Sequence, residues 1–366
     1  MALFRMLWIV ASSLWVSAED AQPCPKGYYC PEQTRQPVLC PARHYCPEGS
    51  AEPSLCPSGR VCKGQDLEAL ANGTWGDLVP LAAGGGHTVV VSNLGQIWAA
   101  GNNGYGQLGT GGTVKQHAFV QVAFGGKKIV AVVAGYGHTA AITNSGELWT
   151  WGRNGAGQLG IGDTADRHDP VKVSVKGQKI VAVAAGEKQT AAITDSGELY
   201  TWGHNGAGQL GVGDTKDRHA PVKVSVNGQK IVAVAAGKKH TAAITDSGEL
   251  WTWGHNGVFQ LGIGDTTNRH APVKVSVNGQ KIAAVAAGDY HTAAITDSGE
   301  LWTWGYNVFG QLGVGDTTNH HAPVKVSVNG QQIVAVAAGY FHTAAITDSG
   351  KLWTWDNNDA GQLGIG

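Results

Sequence analysis

From about residue 78 the sequence repeats itself at a fixed step of 51 residues, and this period constrains the fold more than any other property of the chain. The leucine of a Gln-Leu-Gly tripeptide recurs at Leu108, Leu159, Leu210, Leu261, Leu312 and Leu363. The residue before a repeated Thr falls at His87, His138, Gln189, His240, His291 and His342. Six copies at constant spacing describe one supersecondary unit, copied and stacked, as in a propeller, solenoid or array.

The unit reads clearly in the copy from Lys230 to Gln280. Ile231-Val232-Ala233-Val234-Ala235-Ala236 is a short apolar run closed by Gly237, too short for a packed helix, and predicts a strand. Thr241 to Thr245 reads as a second strand, Asp246-Ser247-Gly248 as a tight turn, and Glu249 to Trp253 as the returning third strand. Pro272 to Val277 alternates Val273, Val275 and Val277 with Lys274 and Ser276, which predicts a fourth strand exposed on one face, its proline at a sheet edge. By the local rule Asn278-Gly279 is a hairpin turn.

Four short strands and no helix per unit make the domain all-β, and the repetition makes it a β-propeller of four-stranded blades. The strand nearest the axis is crowded and calls for small residues, which the Ala-rich run supplies. Trp251 and Trp253 suit the wider space between blades, where large aromatics dominate burial. A content of 54 glycines, 13 tryptophans and 14% charged residues fits turns and packed sheet rather than disorder.

The motifs Gly-x-x-His-Thr, Gly-Glu-Leu-Trp-Thr-Trp-Gly and Gly-Gln-Leu-Gly, in that order and spacing, resemble the regulator of chromosome condensation repeat family from about Leu78 to Gly366. The resemblance implies a propeller, usually of seven blades, whereas six units are visible and the last ends before its fourth strand. It also implies a crossover at Asn278-Gly279 from the outer strand of one blade to the inner strand of the next. Its implied functions are binding, nucleotide exchange on a small GTPase, or a scaffold within ubiquitin ligases. The family's ultraviolet-receptor branch places Trp after the Gly of Gly-x-x-His-Thr. Here that position holds Gly85, Tyr136, Glu187, Lys238, Asp289 and Tyr340, which argues against photoreception.

Residues 1–18, with Arg5, the apolar run Met6 to Ala11 and the small residues Val16-Ser17-Ala18, resemble a cleaved secretory signal, too short to span a membrane. Residues 19–63 hold all six cysteines, Cys24, Cys30, Cys40, Cys46, Cys56 and Cys62, in a second repeat of 16 residues rich in Pro and Gly. An even count behind a signal predicts disulfides, with the pairing open. This segment resembles the small Cys-rich modules of ephrin-receptor stalks. Residues 64–77 read as a linker, in which Asn72-Gly73-Thr74 is a glycosylation sequon. Together these features predict a secreted or cell-surface protein.

With 26 basic and 27 acidic residues the chain lacks the positive excess of a phosphate binder, so nucleic acid is not an expected partner. Gly104-Tyr105-Gly106-Gln107-Leu108-Gly109 has dinucleotide-binding spacing but lacks the following helix that would hold a pyrophosphate, so no cofactor is expected. The ladder of residues before the Thr, in which Gln189 replaces His in one copy, and the second ladder His117, His168, His219, His270 and His321 place at most one histidine each per unit, too dispersed for a shared metal. They read as turn histidines hydrogen-bonded within their own blades. Asp163, Asp166 and Asp169 do not match a calcium loop and read as solvated turn carboxylates. No catalytic arrangement stands out, and the chain is read as a non-enzyme.

What varies between near-identical copies is informative. The pair before the His-Thr strand reads Gly85-Gly86, Tyr136-Gly137, Glu187-Lys188, Lys238-Lys239, Asp289-Tyr290 and Tyr340-Phe341. Equivalent turns ring one face of a propeller, and this mix of aromatics and charges suits an interface with a protein or glycan ligand. The predicted partner-binding residues are Tyr136, Glu187, Lys188, Lys238, Lys239, Asp289, Tyr290, Tyr340 and Phe341. Arg153, His204, His255 and Tyr306 form a second variable set. A secreted enzyme inhibitor is an alternative use of the same face.

Overall fold

The computed structural model describes residues 80–356, 358 and 361–364, together with four two-residue strands near the amino terminus. The signal segment, the six cysteines and their disulfides, the linker and Asn72 lie outside the described residues. The chain divides into two compact units, Met1–Val79 and Pro80–Gly366.

In the first unit β1 (Tyr28–Tyr29) pairs antiparallel with β2 (Val38–Leu39), and β3 (His44–Tyr45) with β4 (Ser54–Leu55). Tyr28 opposes Leu39, and 16 residues further on His44 opposes Leu55, so each of the first two copies of the short repeat carries one small hairpin-like pairing.

The second unit is a propeller. Blade 1 contains β5 (Leu81–Ala83), β6 (His87–Val91), β7 (Ile97–Gly101) and β8 (Gln116–Val122). Blade 2 contains β9 (Ile129–Ala134), β10 (His138–Thr143), β11 (Leu148–Gly152) and β12 (Arg167–Val173). Blade 3 contains β13 (Ile180–Ala185), β14 (Gln189–Thr194), β15 (Leu199–Gly203) and β16 (Arg218–Val224). Blade 4 contains β17 (Ile231–Ala236), β18 (His240–Thr245), β19 (Leu250–Gly254) and β20 (Arg269–Val275). Blade 5 contains β21 (Ile282–Ala287), β22 (His291–Thr296), β23 (Leu301–Gly305) and β24 (His320–Val326). Blade 6 contains β25 (Ile333–Ala338), β26 (His342–Thr347) and β27 (Leu352–Asp356).

Each blade is an antiparallel meander, and the first strands of successive blades are neighbours, which places the Ala-rich runs around the axis. The apolar core is a set of layers, one between each pair of adjacent blades. Between blades 3 and 4, Ala191, Ile193 and Leu199 of one meet Ile231, Ala243 and Trp253 of the other. Trp253 is fully buried there, and its indole N–H donates to the Gln209 carbonyl of blade 3 at 2.9 Å.

Two local readings change. The fourth strand of blade 4 starts three residues earlier than the valine alternation indicates, so Pro272 lies inside β20. It is tolerated because β20 is the outermost strand, whose far side has no ladder partner. Asn278 (φ 51°) and Gly279 (φ 72°) do form a left-handed turn, yet it joins β20 to β21 in a different sheet. Past the turn, the Ile282 N–H docks on the Gly248 carbonyl of the previous blade at 2.9 Å, a partner that no local rule can see.

Six blades are present, one per unit, and no seventh lies among the described residues. Ile295 and Leu301 of blade 5 are 3% and 1% exposed beneath blade 6, whereas Ile346 and Leu352, their counterparts on blade 6, are 40% and 66% exposed.

Trp253→Ala is expected to lower stability by about 3–5 kcal/mol, and Trp253→Phe, which keeps a ring but loses the donor, by about 1–2 kcal/mol. Urea unfolding of both variants separates packing from the hydrogen bond.

Candidate functional site

A meander places the turn after its first strand and the loop after its third strand at the same end of the blade. The variable pairs occupy the first of these positions and Arg153, His204, His255 and Tyr306 begin the second, so both variable sets share one face.

Over blades 5 and 6 this face carries five aromatic rings. Tyr290 lies 6.0 Å from Tyr340 and 6.1 Å from Phe341, the latter stacked at 18°. Phe309 approaches Phe341 to 4.8 Å, and Tyr306 bridges Tyr290, Phe309 and Phe341 at 5.9–6.2 Å. The Tyr340 and Phe309 rings are exposed. Pairs of this kind contribute about 0.5–1.5 kcal/mol each beyond burial, so the patch is preordered.

Lys238 links the patch to the charged part of the face. Its ammonium lies 5.0 Å from the Tyr290 ring centre, 4.8 Å from that of Tyr340, and 3.3 Å from the Asp289 carboxylate. Burial works against the Lys238 charge, but the Tyr290 hydroxyl and Asp289 outweigh it and hold its pKa above the usual lysine value. Burial also pushes the Asp289 carboxyl up to about 6, and Lys238 reverses this only in part. The pair is therefore a constant cation beside a carboxyl that titrates within reach of neutrality. Glu187 pairs with Lys188 at 3.3 Å.

The structure thus brings Lys238, Asp289, Tyr290, Tyr340 and Phe341 together, and leaves Tyr136 apart, exposed over Gly85. Lys239 is exposed beside His255. Phe309 and Tyr105 were not singled out by the sequence. The first completes the aromatic patch, and the second lies under the Arg153 guanidinium at 4.8 Å. Their signal was the bulky residue at a position occupied by Ala156 and Ala207 in other copies.

The histidine ladder has a different role. His87, His138, His240 and His291 reach out of their own blades, and each Nε2 lies 2.8–3.0 Å from the hydroxyl of Thr139, Thr190, Thr292 or Thr343 in the next blade. The reading of these as within-blade turn histidines is corrected. Each Thr hydroxyl donates to a Gln carbonyl, as Thr139 does to Gln107 at 2.8 Å, so it accepts from the ring and Nε2 carries the proton. In blade 3 Gln189 substitutes, its amide donating to the Gly237 carbonyl of blade 4 at 2.8 Å.

The second ladder lies on the outer strands, and through its backbone it also spans blades: the Gly162 N–H donates to the His219 carbonyl at 2.8 Å. Asp163 accepts the Ala165 N–H at 3.0 Å and pairs with Arg167 at 2.5 Å, the work of a turn carboxylate. On blade 1, Ala100 stands where the other blades carry an indole, and an open cavity of about 340 Å³ there is lined by Thr88, Gln116, His117 and Phe119. No helix of the described residues is long and apolar enough to cross a membrane.

The two kinds of titrating group have opposite signs. Burial lowers the histidine pKa values to about 3 for His138, His240 and His291 and about 4 for His87, against 6.5 when unfolded. The unfolded chain then binds protons first, so stability is full above pH 6.5 and falls as pH drops. His240→Gln, copying blade 3, should recover about 2 kcal/mol at pH 5 relative to its effect at pH 7.5. For Asp289 the folded chain holds a proton that the unfolded chain releases near pH 4, so its contribution is full below that and is lost as pH rises through about 6. Asp289→Asn should therefore compare more favourably with wild type at pH 7 than at pH 4. Chemical denaturation across this range checks both.

Comparison with known proteins places this geometry. The RCC1-like domain family matches residues 59–366. The chain is 39% identical over 295 residues to the ultraviolet-B receptor UVR8 of Arabidopsis thaliana, covering 79% of this chain and 67% of the receptor. It is 34% identical over 300 residues to the E3 ubiquitin-protein ligase HERC2 of Homo sapiens, covering 77% of this chain and 6% of the ligase. Among solved structures, human WBSCR16 is similar with a TM-score of 0.72 at 25% identity, over 80% of this chain and 79% of that one.

Proposed function

Because the chain belongs to the RCC1-like domain family, we propose that it is a non-enzymatic binding module that holds a protein partner on the end face of its propeller. The observation that carries this reading is the aromatic patch of Tyr290, Tyr306, Phe309, Tyr340 and Phe341, exposed at Phe309 and Tyr340 and half-buried at the other three, on turns and loops that change while their flanks do not. Rigid aromatics beside paired charges are what interface anchors are made of. Photoreception is not part of the proposal, since the turn position discussed above holds no Trp in any copy. Ligase activity is not part of it either, because the chain corresponds to only 6% of HERC2.

The proposed place of action is outside the cell, on the strength of residues 1–18 and of the six cysteines at alternating spacing. Intact mass of chain from a eukaryotic culture medium tests this. Loss of the first 18 residues and a gain of six hydrogens on reduction are expected. Full-length chain retained in the cytosol with free thiols would move the assignment to an intracellular scaffold or exchange factor.

The binding face is tested by replacing Tyr136, Phe309 and Tyr340 together by Ser, all exposed rings whose loss leaves the blade layers intact. Against an array of secreted and cell-surface proteins, any partner captured by wild type should lose at least roughly a hundredfold in affinity. The thermal midpoint should stay within a few degrees. Undiminished capture sinks the proposal.

A further inference from the structure

The second variable set has a regular substructure. Five residues after Arg153, His204, His255 and Tyr306 come the buried Gln158, Gln209, Gln260 and Gln311. The carboxamide oxygen of each accepts a backbone N–H, from Ala156, Ala207, Val258 and Phe309 respectively, at 2.9–3.2 Å. This fixes the amide, and in blades 3 and 4 its N–H₂ end meets the variable side chain. Gln209 Nε2 donates to His204 Nδ1 at 2.9 Å, and Gln260 Nε2 to His255 Nδ1 at 2.8 Å. An imidazole that accepts at Nδ1 keeps its own proton on Nε2, on the other side of the ring. In blades 2 and 5, where Arg153 and Tyr306 stand at the variable position, the corresponding amide nitrogens, Gln158 Nε2 and Gln311 Nε2, are buried without a hydrogen-bond partner.

Across blades 2 to 5 the face thus offers a row of donors: a guanidinium, two imidazole N–H groups and a phenol, with two unpartnered amides behind. Its charge agrees. Glu187 and Asp289 are neutralised by Lys188 and Lys238, and Asp163, Asp214 and Asp265 of the loops by Arg167, Arg218 and Arg269, while Asp166 and Asp217 are occupied as acceptors of the Asn154 and Asn205 N–H groups; Arg153 and Lys239 join no ion pair among the described residues. The Arg153 guanidinium lies over the Tyr105 ring at 4.8 Å, a contact that leaves its N–H groups available to a carboxylate. At the far end Tyr306 is both the last donor of the row and a member of the aromatic patch.

We propose that this row is the track for an acidic segment of the protein partner. Asp or Glu carboxylates lie on Arg153, His204 and His255 with Lys239 alongside, and an adjoining apolar side chain packs against Tyr306 and Phe341. The inference rests on the reading of this face as a protein-binding surface and names the chemistry of the segment bound. A nucleic acid offers similar acceptors, but the net charge of −1 and the carboxylates on the same face, in the turn pairs and in the loops after the third strands, disfavour a continuous phosphate backbone.

The test is fluorescence anisotropy of the full chain with a labelled octaglutamate peptide ending in Phe-Leu, beside its octaglutamine counterpart and a short single-stranded DNA. The acidic peptide should bind, the others at least roughly tenfold more weakly, with affinity falling as salt rises. Arg153→Gln with Lys239→Gln should weaken the acidic peptide by at least roughly tenfold while circular dichroism stays unchanged. Equal binding of the glutamine peptide, tighter binding of DNA, or an unaffected double variant overturns the proposal. If the aromatic variant loses partner capture while this charge variant keeps it, the binding face stands and the acidic track falls.

Discussion

One backbone carbonyl at each junction between consecutive blades, that of Gln107, Gln158, Gln209, Gln260 or Gln311, ties the blades together. At the junction of blades 3 and 4 it is that of Gln209, which accepts the Trp253 indole N–H at 2.9 Å and the Thr241 hydroxyl at 2.8 Å, both from the following blade. A carbonyl has two lone pairs, and this one is fully used. Gly211 sits against the same indole with φ +73°, where an added Cβ would come within 2.7 Å of the indole nitrogen. The three recurrent motifs are therefore parts of one interlock: Gln-Leu-Gly supplies the acceptor and the clearance, Trp-Gly the indole, and His-Thr the hydroxyl. A histidine from the preceding blade completes it wherever the ladder holds histidine. Loss of any one part leaves a buried polar group without its partner, which costs about 1–3 kcal/mol, and this explains why the parts recur as a set.

The interlock also determines where the chain is free to vary. Its acceptor lies in the loop after the third strand and its Thr follows the turn after the first strand, both at one end of the blade. The backbone of these segments is held from two sides, while none of the interlock's hydrogen bonds uses the side chains of the turn pair or of the residue before each Asn. Blades 2 to 5 keep the same buried Asn in that loop, Asn154, Asn205, Asn256 and Asn307, and vary the residue in front of it. A rigid frame presenting side chains with no structural duty is what a recognition surface requires, because little ordering entropy is lost on binding.

Most of the frame was legible because its determinants are local and repeated. Strand alternation, turn residues and the step of 51 residues gave four strands per unit and the position of the tryptophans between blades. What was not legible depends on a partner in another blade. The bond from His240 spans 52 residues to Thr292, so a reading confined to one unit could only seat the histidine at home. Asn278-Gly279 has the left-handed backbone of a hairpin turn but lacks flanking strands that pair with each other. The turn pairs were found by their variation. Phe309 and Tyr105 belong to a different loop and come beside Phe341 and Arg153 only through the packing of adjacent blades, which no one-dimensional pattern displays.

The distribution of chemistry around the face follows from the same economy. Since each of the five junctions between consecutive blades uses the same interlock, blades 2 to 6 meet their predecessors in the same way, and their differences reside in the side chains that the interlock ignores. Those side chains are not mixed at random: blades 2 to 4 carry the guanidinium, the imidazoles and the lysines, and blades 5 and 6 carry the rings. Charged groups at a rim act mainly on encounter and orientation, and buried rings mainly on residence time. For the proposed partner, a face divided in this way would set the direction in which it lies, because only one orientation would bring carboxylates to Arg153 and an apolar side chain to Phe341.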